Sequence, residues 1–334
     1  MTSPIAPREK VGVVLFQLGG PDGPETVEPF LYNLFCDPDI IEIPLGWLLR
    51  RPLARWISRK RAPKVAAAYR AIGGRSPIRY LTERQARALE QTLQTDLDAR
   101  VLVAMRYWHP LTNEAIAELE KLAPDKIVLL PLYPQYSLAT TGSSLNEWRC
   151  CVSKRMPPTH LVKEFFSHPM YIASVVEKIA LSLSHFDRPE NVHLVFSAHG
   201  LPVSFIERGD PYQRQVEATV KLTLERGAWQ NPHTLCYQSR VGPQKWLEPS
   251  LHETIERLGR EGVKQVLVIP IAFVSEHIET LHEINIESRE EALAHGIEQF
   301  EMMPAVGDSA TFIACLADLV KTALAQPPIK DWDE

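Results

Sequence analysis

Between Ser275 and Glu287 the chain carries Glu276, His277, Glu279, His282, Glu283 and Glu287. Carboxylates and imidazoles are the ligands that hard and borderline divalent cations prefer. Read as an α-helix at about 100° per residue, Glu276, Glu283 and Glu287 fall within about 40° of one another, with Glu279 about 60° to one side. Such a row suits a route for a cation better than a closed cage. The plain alternative is a solvated helix face, because acids favour the first turn of any helix.

A second chemical element stands at His199, in Phe196-Ser197-Ala198-His199-Gly200-Leu201-Pro202. The glycine and proline stop the preceding apolar run and force a loop. An imidazole at a strand's carboxyl end is rigidly held, and can act as a general base near neutral pH or as a metal ligand. His109, His168 and His252 receive no role on sequence grounds. Ser197-Ala198-His199-Gly200 is not the Gly-x-Ser-x-Gly of a serine hydrolase, and no dinucleotide or phosphate-loop glycine pattern occurs.

A third element has the opposite character. Residues 43–82 contain ten Lys/Arg and no Asp/Glu. Within 45–61, tryptophan, leucine and arginine interleave, as suits an anionic membrane surface or a flat, greasy anion. Pro52 is expected to limit any single long helix there. An enzyme that unites a metal cation with a planar anionic macrocycle would need both an acidic face fit for the metal and a basic, aromatic segment fit for the apolar anion.

The bulk properties bound the setting. A chain of 334 residues suggests two domains or one large one. Its net charge of −5 gives no reason to expect nucleic acid as a partner. The five cysteines show no zinc spacing and an odd count, so a reducing, cytoplasmic setting is expected. The first ten residues do not read as a signal peptide, and no apolar run approaches the roughly 18 residues that span a bilayer.

The elements that must position these residues are short apolar runs: Val11–Leu18, Val101–Met105, Ile127–Leu132, Val192–Ala198, Thr234–Gln238 and Val266–Val274. Separated by amphipathic segments, they read as parallel strands covered on both faces. The halves also resemble each other. Val14–Pro21 matches Leu194–Pro202, Met105–Pro110 matches Gln238–Pro243, and Lys126–Leu132 matches Lys264–Ile271. The expected fold is α/β, with two similar doubly wound, Rossmann-like parallel sheets facing across a cleft. Ligands of such sheets bind beyond the carboxyl ends of the strands. That rule gathers His199, Arg106, Tyr107, Tyr133–Thr141 and the acidic segment around one site.

These segments are similar to one family. Leu18-Gly19-Gly20-Pro21, Tyr69-Arg70-x-Ile72-Gly73-Gly74-x-Ser76-Pro77, Met105-Arg106-Tyr107-Trp108-His109-Pro110, Ser197-Ala198-His199-Gly200-Leu201-Pro202 and Ser275-Glu276-His277-Ile278-Glu279-Thr280 resemble the ferrochelatases, in order and over nearly the whole chain. The resemblance implies a chelatase-type fold and insertion of Fe²⁺, as substrate, into protoporphyrin IX, giving protohaem and two protons in the terminal step of haem biosynthesis. It implies His199 and Glu279 as the catalytic pair at the metal, and Glu276, His277, Glu283 and Glu287 as a metal and proton relay. Leu18, Arg106, Tyr107, Tyr133, Trp246 and Phe273 are implied to line the porphyrin site, and Arg50 and Arg51 are candidates to hold propionates. An N-terminal domain over 8–160 would include a porphyrin lip at 31–77 and be joined by a C-terminal helix at 308–326; a second domain would span 161–307. The alternatives are a coproporphyrin ferrochelatase, a cobaltochelatase and a non-catalytic porphyrin or haem carrier.

This chain also departs from the family's pattern. Leu18 stands where some members have Met and the coproporphyrin-using Gram-positive branch has Tyr, which favours protoporphyrin. Cys315 is the only late cysteine, so no iron–sulfur cluster and no permanently bound cofactor is expected. Glu276 replaces an Asp of some members. Partners beyond porphyrin and iron would be an anionic membrane touched peripherally through 45–61, on the inner face of the cell membrane, and a second copy if the chain is a homodimer rather than a monomer.

Overall fold

The computed structural model describes residues 9–40, 46–152, 156–240 and 244–330. Residues 41–45 of the lip, residues 241–243 of the second matching motif, residue 8 and the Trp47 side chain lie outside what is described.

The first half runs β1 (Lys10–Gln17), α1 (Val27–Phe35), α2 (Gly46–Ala71), α3 (Ile78–Leu93), β2 (Asp98–Met105), α4 (Thr112–Leu122), β3 (Lys126–Pro131), a π-helix (Leu138–Gly142), α5 (Ser143–Cys151) and β4 (Thr159–Leu161). The second half runs α6 (Pro169–Leu183), β5 (His193–His199), α7 (Val203–Glu207), α8 (Tyr212–Gly227), β6 (His233–Gln238), α9 (Leu251–Arg260), β7 (Gln265–Pro270), a second π-helix (Glu279–Ser288), α10 (Arg289–Ala294), β8 (Gln299–Met302) and α11 (Ala310–Ala325).

Two four-stranded sheets result, ordered β2-β1-β3-β4 and β6-β5-β7-β8, with every strand pair parallel. The two orders are the same topology, so the internal resemblance is structural as well as sequential. Each half carries a π-helix after its third strand. The central strands are buried on both faces, which is why they read as unbroken apolar runs rather than alternating ones. One continuous core joins Leu15 and Leu130 of the first sheet to Phe196 and Ile269 of the second, with Leu89 of α3, Ile179 of α6 and Leu316 of α11 between them.

Four expectations are corrected. The last run is shorter than its apolar length: β7 stops at Pro270, and residues 271–277 form a loop. Two edge strands, β4 and β8, escaped notice because at three and four residues they carry too little pattern. The basic segment forms one 26-residue helix, α2, running through both Pro52 and Pro63. Each interior proline removes a backbone bond and costs about 3 kcal/mol. The helix survives because its inner face, with Ala54, Ser58 and Tyr69 buried, packs with Phe30, Leu31 and Phe35 of α1. Finally, the acidic segment is not α-helical from Ser275. It is a loop to His277 and a π-helix from Glu279, whose i→i+5 bonding is rare and favours functional sites.

Candidate functional site

His199 is the last residue of β5, and its backbone is held on two sides. Its carbonyl accepts the Tyr212 hydroxyl at 3.0 Å, and the next amide, Gly200 N–H, donates to Gln238 O at 2.7 Å. A Cβ on Gly200 would stand 2.5 Å from Gln238 O and 3.3 Å from the Trp246 ring, so only glycine lets the chain turn here. The side chain is thereby aimed at the start of the second π-helix. His199 Nδ1 lies 2.8 Å from Glu279 Oε2, and His277 Nε2 lies 3.6 Å from the same oxygen. His199 remains 41% exposed and Glu279 21%, so the pair is open on one side.

The electrostatics follow from that contact. Burial pushes the His199 imidazole down, but the charge of Glu279 and their hydrogen bond outweigh it, and the net shift is upward. Burial pushes Glu279 up, but His199 and His277 together drive it far below the carboxylate range. A raised imidazole adds stability that is lost as pH rises through its folded value, and a depressed carboxylate adds stability that is lost as pH falls. Their joint contribution is therefore full between about 4.3 and 6.5, the ordinary values of the two groups.

The acids continue outward along the π-helix. Glu283 accepts Ser239 N–H at 2.8 Å and Ser239 Oγ–H at 2.6 Å. Ser239 adopts a left-handed φ of 66° to present both donors. Burial, then the charge of Glu279, pushes Glu283 up. Glu287 is 55% exposed, with His282 Nδ1 at 3.6 Å, one π-turn away. Glu279, Glu283 and Glu287 thus form a row from the pair to solvent. Glu276 is not in that row, because it lies in the preceding loop, where its Oε1 accepts Ala305 N–H at 2.6 Å. His277 is buried, packed on Phe273 at 4.6 Å between rings, and its Nδ1 has no partner.

The remaining candidates divide. Phe273 meets the His199 ring edge-on at 6.5 Å. Trp246 is half-buried beside Gly200, bridged to Pro202. Leu18 and Ile278 pack against one cluster, which ties the first half to the head of the π-helix. Tyr133 is half-buried. Tyr107 differs from its expected place at the cleft surface: it is 1% exposed and its hydroxyl is committed to Asp37 at 2.5 Å. Arg106 is 13% exposed and bound to Asp37 at 3.0 Å and Glu147 at 3.3 Å, with Nε donating to Ser143 Oγ. Arg50 donates to Asp37 O at 3.1 Å.

Sequence reasoning missed Asp37, whose side chain is fully buried and accepts from Tyr107, Ser143 and Arg106. It also missed Gln85 of α3, also fully buried. Its amide donates to Val274 O and Gly307 O and accepts Ser275 Oγ–H at 3.1 Å, clasping the loop that carries Phe273 to Glu276. The Cys36-Asp37-Pro38-Asp39 turn was the one available signal for the first. Nothing distinguished Gln85 from other helical glutamines.

Among the described residues no three His, Cys, Asp or Glu side chains are arranged to hold a metal ion. No helix among the described residues is long and apolar enough to cross a membrane. Away from these residues, a groove of about 560 Å³ opens over the edge of β2 between α3 and α4, lined by Glu83, Arg87, Glu90 and Glu114, and it contains none of the candidates.

The family model for ferrochelatase matches residues 10–324. A ferrochelatase of Picosynechococcus sp. is 50% identical over 325 residues, covering 96% of this chain and 84% of that protein. One of Geotalea daltonii is 49% identical over 317 residues, covering 94% of this chain and 98% of that protein. The solved structure of SirB from Bacillus subtilis with Fe3+ superposes with a TM-score of 0.55 at 12% identity, over 96% of this chain and 99% of that one, a likeness of fold.

Proposed function

The chain belongs to the ferrochelatase family, and we propose from that premise how its own residues insert ferrous iron into a porphyrin. The observation that carries the reading is the 2.8 Å contact between His199 and Glu279 at the head of an acidic row open to solvent. A porphyrin's inner nitrogens must lose two protons before a cation can enter. A flat ring also hides their lone pairs, so bending it on binding would expose them at a strain of about 1–5 kcal/mol, offset by contacts remote from the centre. His199 accepts protons from the ring nitrogens. Glu279 holds that imidazole in orientation and stabilises its charged form. Glu279, Glu283 and Glu287 pass Fe²⁺ inward and protons outward, with His277 and Glu276 bracing the inner end. Phe273, Trp246 and Leu18 face the macrocycle, while Arg106 and Tyr107 shape its wall from behind.

The substrate is protoporphyrin IX in this reading, supported by the absence of a coordinating side chain at Leu18. Anaerobic mixing of the protein with Fe²⁺ and protoporphyrin or coproporphyrin tests it. Protohaem formed faster than coprohaem is the expected result. A pigment that binds yet keeps its free-base absorption would instead identify a carrier.

The electrostatics predict the pH profile. Because Glu279 raises His199, the neutral imidazole needed as a base appears only above an ordinary histidine value of about 6.5. The acid limb of kcat/KM should therefore lie above that value, and Glu279→Gln should move it to lower pH. A limb that stays in place in the variant would break the link between the two groups.

Glu283→Gln removes a charge from the row while keeping one acceptor oxygen for the Ser239 donors. KM for the metal should rise about tenfold or more, with porphyrin affinity little changed. Loss of porphyrin affinity instead would contradict the metal-route role.

The exposed face of α2 supports peripheral contact with an anionic membrane on the cytoplasmic side. Leu48, Leu49 and Trp56 are 56%, 45% and 60% exposed, among Arg51, Arg55, Arg59 and Lys60. Replacing the three apolar residues by Ser should abolish sedimentation with phosphatidylglycerol vesicles and leave activity in detergent intact. Unchanged sedimentation would remove this face from consideration.

A further inference from the structure

We propose that Gln85 and Gln215 are a reciprocal pair of positioning residues, one glutamine from each half fixing the cleft-wall loop of the other; their effect on the reaction rests on the reading that the cleft bends the ring. The two sheets have the same strand order, so α3, which leads into β2, is equivalent to α8, which leads into β6. Likewise the loop after β3 is equivalent to the loop after β7, and each ends in a π-helix. Gln85 of α3 reaches across to the second loop. Its Nε2 donates to Val274 O at 3.2 Å and to Gly307 O at 2.9 Å, and its Oε1 accepts Ser275 Oγ–H at 3.1 Å. Gln215 of α8 reaches the opposite way, its Oε1 accepting Tyr136 N–H at 2.8 Å, while Thr219 one turn on accepts from Gln135 Nε2 at 3.0 Å. Val274 and Ser275 follow Pro270 at the same spacing as Gln135 and Tyr136 follow Pro131. The same device thus operates in both directions.

Both amides are shut off from water, Gln85 fully and Gln215 at 3% exposed. A buried group that loses its hydrogen bond costs its full desolvation, so neither loop can slide without penalty. A glutamine carries donor and acceptor on one rigid amide, and Gln85 uses both, which holds its loop against motion in either direction. The loops also touch each other, because Gln135 Nε2 reaches Ile271 O at 3.5 Å and the Tyr171 hydroxyl shares that carbonyl at 3.0 Å. What they carry explains why their register matters. Phe273 stands in the second loop, edge-on to the His199 ring, and Tyr133 stands in the first. The gap between opposite walls is therefore set by buried amides rather than by the wall residues themselves. A position error near 1 Å at a reacting centre costs about 10²-fold in rate.

Gln85→Leu and Gln215→Leu keep the volume and remove the hydrogen bonds. Assayed with Fe²⁺ and protoporphyrin well below the unfolding temperature, each should lower kcat about 10–10²-fold, with the KM for metal and for porphyrin within about threefold of the wild type. The out-of-plane ring bands of bound metal-free protoporphyrin, read by resonance Raman, should weaken in step. The double variant should lose little more than the worse single one, since either loss already frees the shared register. Ile255→Val, a core truncation in α9 away from both loops, lowers the thermal midpoint and should leave kcat and the ring bands unchanged, which separates positioning from general destabilisation. Should Gln85→Leu fail to fold, Ser275→Ala removes one of its bonds from the far side and should show the same split at smaller size. Wild-type kcat in both folded leucine variants would overturn the proposal, as would losses that multiply in the double variant. If the wild type inserted no iron or bound a flat ring, the reading beneath the proposal would fall, and the other of the two measurements would still decide the clasp.

Discussion

His199→Ala should lower metal insertion by about 10²–10⁴-fold, the usual range for loss of a positioned general base, while porphyrin still quenches the protein's tryptophan fluorescence on binding. The size of the effect follows from the absence of a substitute. His277 is the only other imidazole near Glu279 among the described residues, and it is 7% exposed, turned toward the carboxylate and packed under Phe273. It cannot reach a ligand without breaking that packing. The variant should fold, because the neighbouring backbone is held by Tyr212, Gln238 and the sheet rather than by the imidazole. Turnover within a few-fold of the wild type would remove the base assignment, and a simultaneous loss of porphyrin binding would make His199 a binding residue.

Asp37→Ala should destabilise the protein by about 3–5 kcal/mol, the range for removing one partner of a buried ion pair. The carboxylate takes four donors, from Arg106, Tyr107, Ser143 and the Asp39 amide, and is shielded from water. Its removal leaves a guanidinium that is 13% exposed with Glu147, itself 36% exposed, and then Asp39 as the remaining counter-charges. Asp37→Asn keeps the volume and one acceptor oxygen, and should cost less. The measurement is the denaturant midpoint with an unchanged m-value. A loss below about 1 kcal/mol would mean that Glu147 and water compensate fully.

How far the sequence reaches can be judged at particular residues. The parallel strands were legible because a strand buried on both faces must be apolar at every position, as in Val266–Ile269. Position at a strand's carboxyl end marked His199, since topology alone sends such residues to one side of the sheet. The π-helix was not legible. Glutamates four apart fit either an α- or a π-helix, and the choice between them depends on what packs against Ile278 and Ile284. Assuming the commoner helix put Glu276 in the row and left Glu279 beside it; the structure reverses the two. Pro52 misled for a related reason. A local rule assigns its cost correctly, but the burial of Ala54 and Tyr69 that offsets it comes from α1 and the β2 loop.

By itself, the order of residues determined the doubled α/β topology, the chemical types at the site and the family. These are properties of period, composition and motif, each contained within a short stretch of chain. That the acidic row starts at Glu279 and leaves out Glu276, that Tyr107 faces Asp37 rather than a ligand, and that Gln85 clasps a loop 190 residues away were decided only by the tertiary structure. Contacts of that kind depend on where two independently folded surfaces come into register, and a side chain's type does not encode its partner.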